Sequence, residues 1–201
     1  MSEYDVVVIG AGPGGYITAI RASQLGLKAA VVEKEFLGGI CLNVGCIPSK
    51  SLLKNAELAH TLRERADEFG ISFDNLKLDF AAAVDRSRKV SKRLTQGVAF
   101  LMKKNKIDVY MGTAKLTAKD KVQVSDADGK VQELSAKNIV ISTRSHAAMI
   151  PGVKVDGEKV VSFWEAILPT VRPESVVIIG AGAIGAKFAT VWSAYGTQVT
   201  M

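Results

Sequence analysis

The sequence predicts an α/β chain in which a parallel sheet, buried on both faces, is joined to an antiparallel meander and followed by the start of a second α/β unit. Two observations carry this reading. An apolar run, a glycine-rich turn and a helically spaced segment occur in that order twice, at residues 4–25 and again at 176–195. Between the repeats, β-prone runs flank Asp126-Ala127-Asp128-Gly129, the composition of a hairpin turn. With 201 residues, 48% of them hydrophobic, the chain can bury one sizeable core and begin another.

In chain order, residues 4–9 (YDVVVI) suit a strand covered on both faces. Gly10, Gly12 and Gly15 follow as G-x-G-x-x-G, residues 16–25 have helical spacing, and residues 29–32 form a second strand ending at Glu33. A lone G-x-G-x-x-G is weak. Set between strand and helix, with an acid about 20 residues later, it has the context of a dinucleotide fingerprint rather than of a plain tight turn. Glycines let backbone approach a pyrophosphate, the helix amino terminus supplies N–H groups and positive potential, and Glu33 can accept from a ribose hydroxyl.

Two long helices are expected at residues 49–69 and 80–104, with Leu52, Leu53, Ala56, Ala59 and Leu62 on one stripe and Val84, Val90, Leu94, Val98 and Leu101 on the other. A short strand at 107–110 suits the parallel sheet. Runs at 121–124 and 131–134 form the hairpin, and 138–142 returns as a buried strand, so that a meander lies against the parallel sheet. Pro151, Gly152 and Gly157 mark a linker, dividing the chain into domains at 1–150 and 151–201. After it come a strand at 176–179, a second G-x-G-x-x-G at Gly180, Gly182 and Gly185, a helix at 183–195, and the next strand at 199–201. The acid that would complete this second fingerprint is expected beyond the last residue, so the second domain is expected to be incomplete.

Cys41 and Cys46 are the only cysteines, within GGICLNVGCIPSK at residues 38–50. Residues five apart on an undistorted helix point in different directions, so a disulfide here requires a broken or loop-like first turn. Gly45 and Pro48 supply that irregularity, and the dipole of the following helix favours a thiolate. The alternative is two buried, inert cysteines beside a helix start, and spacing alone leaves both open. His60 and His146, the only histidines, stand at no usual zinc-finger spacing.

No apolar run approaches the roughly 20 residues of a membrane span. The amino terminus leads straight into a strand without a targeting segment, which argues for cytoplasm, where a disulfide is more often catalytic than structural. The formal charge is +6, but the basic clusters at Arg86, Arg88, Lys89, Lys92 and Arg93 and at Lys103, Lys104 and Lys106 lack interleaved aromatics. They read as solvated helix faces, not as a nucleic-acid surface.

The two glycine motifs, the C-x-x-x-x-C between them and the words GGICLNVGCIPSKSLL, FLMKKNKIDVYMGTAKL and IPGV resemble the pyridine nucleotide-disulfide oxidoreductases, most closely the dihydrolipoamide dehydrogenase branch. The similarity covers the whole chain and is most specific around the cysteines. It implies an FAD/NAD(P)-binding Rossmann-like three-layer fold with an antiparallel meander, then the truncated start of a second Rossmann-like domain. FAD would be held by Gly10, Gly12, Gly15 and Glu33, with Gly39, Ile40, Cys41 and Lys50 lying against it and Ala114, Thr143, Arg144 and Ser145 completing its edge. Gly180, Gly182 and Gly185 would cradle NAD. Cys41 and Cys46 would form the redox disulfide, Cys41 exchanging with a dithiol and Cys46 facing the flavin.

The resemblance also implies electron flow from dihydrolipoamide, carried on the acyltransferase of a 2-oxoacid dehydrogenase complex, through the cysteines and FAD to NAD. It implies a homodimer whose carboxyl-terminal domain contributes a His and Glu acid–base pair. Glutathione or mercuric reductase chemistry is the variant within this class, and a non-catalytic FAD-binding fragment or decayed remnant is the alternative outside it. Two positions depart from the family pattern. Arg144 stands where the family has glycine, adding bulk where backbone approaches the cofactor. Lys187 stands where the family has a glutamate thought to pair with the lysine matching Lys50, so two lysines would repel there.

Overall fold

The computed structural model describes residues 2–201. In chain order the elements are β1 (Ser2–Ile9), α1 (Pro13–Gln24), β2 (Ala29–Glu33), α2 (Gly39–Asn43), α3 (Cys46–Glu64), a 3₁₀ turn (Ala66–Phe69) and α4 (Phe80–Lys104). They continue with β3 (Asp108–Met111), β4 (Thr113–Ala118), β5 (Lys121–Ser125), β6 (Val131–Ile141), α5 (Phe163–Ala166), β7 (Ser175–Val177), α6 (Ala183–Ala194) and β8 (Gln198–Thr200). The chain divides into two compact units, one made of residues up to Asn43 with Lys92–His146, the other of Val44–Ser91 with Ala147–Met201.

The first unit contains one six-stranded sheet in the order β3-β2-β1-β6-β5-β4. The β1, β2, β3 and β6 pairings are parallel, with Val8 opposite Val31 on one side and Val140 on the other. β5 runs antiparallel to β4 and β6. Val7, Val8, Ala30 and Val31 are fully buried, as central strands covered on both faces require. A core cluster joins Tyr4, Val7, Ala30 and Val32 to Val122, Val124, Leu134 and Ala136, so apolar packing runs from the parallel half of the sheet into the meander.

This continuity differs from the sequence reading, which placed two strands at 131–134 and 138–142 and set the meander against the parallel sheet. β6 is a single strand of 11 residues. Its first half pairs with β5, and from Leu134 onward it pairs with β1. Ser135, Ala136 and Lys137 have no strong β propensity. The neighbouring ladders hold them extended, helped by the Ala136 N–H donating to Asp120 O at 2.9 Å and by Lys137 Nζ meeting Asp5 Oδ1 at 2.7 Å. β4 was missed in the sequence for a similar reason: it is an exposed edge strand without clear alternation, defined by its pairing with β5.

In the second unit α3 packs against α6, burying Leu52, Ala56 and Ala59 from one helix and Val191 and Trp192 from the other. Arg86 ties the first half of α4 to α3 by donating to Ser51 Oγ at 2.8 Å and Asn55 Oδ1 at 2.9 Å. Arg63 donates to the Ala194 carbonyl at the end of α6 at 3.1 Å, a cation placed where helix carbonyls lack partners. β7 and β8 form a two-stranded parallel sheet. α5 begins with a capping box, Ser162 and Glu165, a signature present in the sequence as S-x-x-E.

In the first unit, away from the carboxyl ends of the strands, the Tyr4 hydroxyl donates to Asp108 Oδ2 at 2.8 Å and lies 2.6 Å from the Tyr110 hydroxyl. Burial, then these two partners, push the Tyr4 pKa upward. The folded state therefore keeps a proton that the unfolded chain releases, so this contribution is complete below the ordinary tyrosine pKa of about 10 and is lost as pH rises above it. We expect Tyr4→Phe to lower the unfolding free energy by about 1–2 kcal/mol at pH 7. In urea titrations it should also flatten the fall in stability between pH 9 and pH 11, about the tyrosine range; an unchanged slope would show that Tyr4 is not its source.

Candidate functional site

The first glycine turn is built by contacts that exclude side chains. Gly10 has φ +101°, and a Cβ there would stand 2.3 Å from the Ser142 carbonyl oxygen. Its N–H donates to Val32 O at 2.8 Å while Ser142 N donates to Ile9 O at 2.8 Å, which ties the turn to both neighbours of β1. A Cβ on Gly15 would lie 1.8 Å from the Gly10 carbonyl oxygen, so α1 can approach β1 this closely only with glycine there.

Gly12 behaves differently. It is the extended N-cap of α1, with no side chain capping the helix, and a Cβ added to it meets nothing within 4 Å. No acidic residue lies in the first turn of α1, so the positive end of the helix is not neutralised locally. An anionic group can approach the turn over Gly12.

Glu33 ends β2 beside this turn, accepting from Ala11 N–H at 2.7 Å and from Glu35 N–H at 2.9 Å. α2 is held against the same turn: Gly38 N–H donates to Ala11 O at 2.9 Å, and a Cβ on Gly39 would come within 2.7 Å of Gly12 Cα. Asn43 braces α2 by donating to Leu37 O and Gly39 O, both at 2.9 Å, and accepts from Thr95 Oγ1 at 3.2 Å. Gly38, Asn43 and Ser142 were not singled out from the sequence. The glycine doublet before the first cysteine was the one signal for Gly38, and the contacts of the other two are made by distant parts of the chain.

The first unit thus gathers Gly10, Gly12, Gly15, Glu33 and Gly39 around one turn at the carboxyl end of β1, with Ile40 next in α2 after Gly39. Ala114 lies farther along, partly buried in β4 against the core cluster. Thr143, Arg144 and Ser145 follow the end of β6, with Thr143 and Ser145 exposed. Arg144 makes a two-pronged ion pair with Glu35, Nη1 to Oε2 at 2.5 Å and Nη2 to Oε1 at 2.8 Å.

Cys41 sits half-buried in α2, and Cys46 is exposed as the first residue of α3, with no disulfide between them. The helical pattern expected from Ser49 starts three residues earlier, at Cys46, because Gly45 rather than Pro48 makes the break. Pro48 is accommodated within the first turn, where its missing N–H costs nothing. Cys46 belongs to the second unit, as does exposed Lys50 on α3.

The second unit repeats the glycine turn. Gly180 has φ +109°, Gly182 is an extended N-cap without a side-chain cap, and a Cβ on Gly185 would fall 2.1 Å from Gly180 O. Here, among the described residues, Gly180 has no counterpart of Ser142 against it, since β7 pairs with β8 alone. Lys187 is half-buried in the second turn of α6.

A parallel sheet, two strand–glycine–helix turns with uncapped helix starts, and a cysteine pair between them define a nucleotide-binding redox class. The chain belongs to the pyridine nucleotide-disulphide oxidoreductase family, whose model matches residues 4–201. It is 50% identical to the dihydrolipoyl dehydrogenase of Mycobacterium leprae, covering 100% of this chain and 43% of that protein, and 45% identical to that of Rhizobium etli, covering 99% and 44%. The chain therefore spans less than half the length of these curated relatives. Among solved structures it resembles LpdA from Mycobacterium tuberculosis, with TM-score 0.87 at 21% identity over 99% of this chain and 44% of that one. It also resembles the HOCl-induced flavoprotein disulfide reductase RclA from Escherichia coli, solved as a Cu(II) complex, with TM-score 0.84 at 25% identity over 99% and 42%. No helix among the described residues is long and apolar enough to cross a membrane.

The two turn glycines should separate on substitution. Gly15→Ala places a methyl group on the Gly10 carbonyl and should cost about 1–3 kcal/mol, as overpacking does. Gly12→Ala should leave the unfolding free energy within about 0.5 kcal/mol of the parent. Parallel denaturant titrations decide it, and equal losses would refute the close-approach assignment.

Proposed function

We propose that the chain is the cofactor- and disulfide-bearing part of a dihydrolipoyl dehydrogenase, working in the cytoplasm as part of a homodimer. It takes electrons from dihydrolipoamide on the acyltransferase of a 2-oxoacid dehydrogenase complex. The support is threefold: the family membership, the identity of up to 50% to proteins of that name, and the open, uncapped start of α1 beside Glu33. The last observation carries the cofactor reading, because the turn offers an anion N–H groups and space where a Cβ meets nothing. On this reading residues 1–150 form the FAD domain and residues 151–201 belong to the NAD domain.

FAD, when bound, supplies a two-electron acceptor that can pass a hydride to NAD. Gly10, Gly12 and Gly15 bring backbone to its pyrophosphate, and Glu33 turns an oxygen from Ala11 N–H toward a ribose hydroxyl. Gly39 and Ile40 hold the α2 backbone against the turn, Lys50 adds positive charge, and Ala114, Thr143 and Ser145 border the far edge. Gly180, Gly182 and Gly185 do the same for the NAD pyrophosphate.

In the oxidised enzyme Cys41 and Cys46 are joined. A substrate thiolate attacks Cys41 Sγ, forming a mixed disulfide and releasing Cys46 as thiolate, which the start of α3 stabilises. The second substrate thiol, on losing its proton, attacks the mixed disulfide at the sulfur of the first. Cyclic oxidised substrate leaves and Cys41 departs as a thiolate, so one dithiol has been oxidised and one disulfide reduced.

Two measurements test the reading. The purified chain should bind FAD and shift its visible absorption, and Gly12→Val, which fills the open space over the turn, should weaken binding by about tenfold or more, about 1.4 kcal/mol; a chain that stays colourless with excess FAD would refute it. Thiol titration in denaturant should find no reactive cysteine in the air-oxidised protein and two after reduction. Two reactive thiols before reduction would remove the disulfide from the mechanism.

A further inference from the structure

Arg144 and Glu35 lie just past the carboxyl ends of β6 and β2, and these two strands are the neighbours of β1 on either side. A bond between their side chains therefore crosses the carboxyl end of β1, where the Gly10–Gly12 turn opens. Ligands of open α/β sheets enter the crevice outside the carboxyl ends of the strands. The pair is two-pronged and both side chains are about one-third exposed, 29% for Arg144 and 33% for Glu35. It is thus a defined contact that can open into water. Glu35 is also coupled to the site through its backbone, since its N–H donates to Glu33 Oε1.

We propose that the Arg144–Glu35 ion pair is a strap across the mouth of the glycine turn, which a dinucleotide must open in order to seat its pyrophosphate over Gly12. This deepens the cofactor reading above and rests on it. It gives Arg144 a role other than contact with the cofactor: the guanidinium is directed to Glu35, and the strap sets how fast and how tightly the dinucleotide is taken up.

The test is stopped-flow and equilibrium FAD binding, followed by flavin fluorescence, on the parent chain, Arg144→Ala, Glu35→Ala and the double variant. Opening the strap by either route should raise the association rate and affinity by about two- to fivefold, the range of a partly exposed ion pair. The double variant should gain no more than either single one, because both remove the same contact. The advantage of the variants should shrink as added salt loosens the pair in the parent. Unchanged or slower binding in both single variants, with the parent binding normally, would overturn the strap and leave the cofactor reading standing. Weaker binding in Arg144→Ala with tighter binding in Glu35→Ala would overturn it too, by making Arg144 a direct phosphate partner. Failure of all four proteins to bind FAD would overturn the cofactor reading and the strap with it.

Discussion

Where α1 meets the end of β1, the Gly15 Cα faces the Gly10 carbonyl oxygen at a separation that leaves no room for a Cβ. From this contact the site takes its form. It sets the start of α1 against the carboxyl end of the central strand β1 and leaves Gly12 open, with Glu33 bonded to Ala11 N–H and Gly39 close against Gly12 Cα. The same contact recurs between Gly185 and Gly180. The two segments share the run V-V-x-I-G-A-G as well as the later glycine, and both adopt one local geometry because the same positions lack a Cβ.

The turn also needs support from below. Gly10 N–H donates to Val32 O of β2, and Ser142, the residue after β6, donates to Ile9 O. Because β6 runs unbroken from the hairpin into the parallel ladder, the apolar cluster around Val122, Val124 and Leu134 helps position the site. The β7–β8 pair lacks such support: Val177 is 72% exposed, whereas Val7 and Val8 are fully buried. Equal local turns thus sit on very different foundations.

Charge is distributed around the turn with some economy. α1 carries no acid in its first turn, so its dipole faces the opening unopposed. Glu33 is kept from closing over it by bonds to Ala11 and Glu35 N–H, and Glu35 is in turn occupied by Arg144. Arg144 is thereby accommodated by an acid two residues beyond Glu33.

Much of this was determined by the sequence alone. The apolar run before Gly10, the glycine spacing and Glu33 are local patterns of period or composition, and they specify β1, β2, α1 and the repeated turn whatever lies around them. On α4 the expected stripe is met only in part, since Leu94 and Leu101 are exposed and the buried face is Ala83, Val84, Ser87, Ser91, Val98 and Met102. Gly45 is likewise a local breaker, and it separates α2 from α3 as the irregular turn required. Tertiary structure decided the rest. β6 is one strand because β1 and β5 hold Ser135–Lys137 extended against weak propensity, and β4 exists because β5 pairs with it. Arg144 looked obstructive in the sequence because its partner lies 109 residues away. Only the parallel pairing of β2, β1 and β6 brings the two within bonding distance, and no pattern along the chain encodes a contact whose two halves share nothing but the end of a sheet.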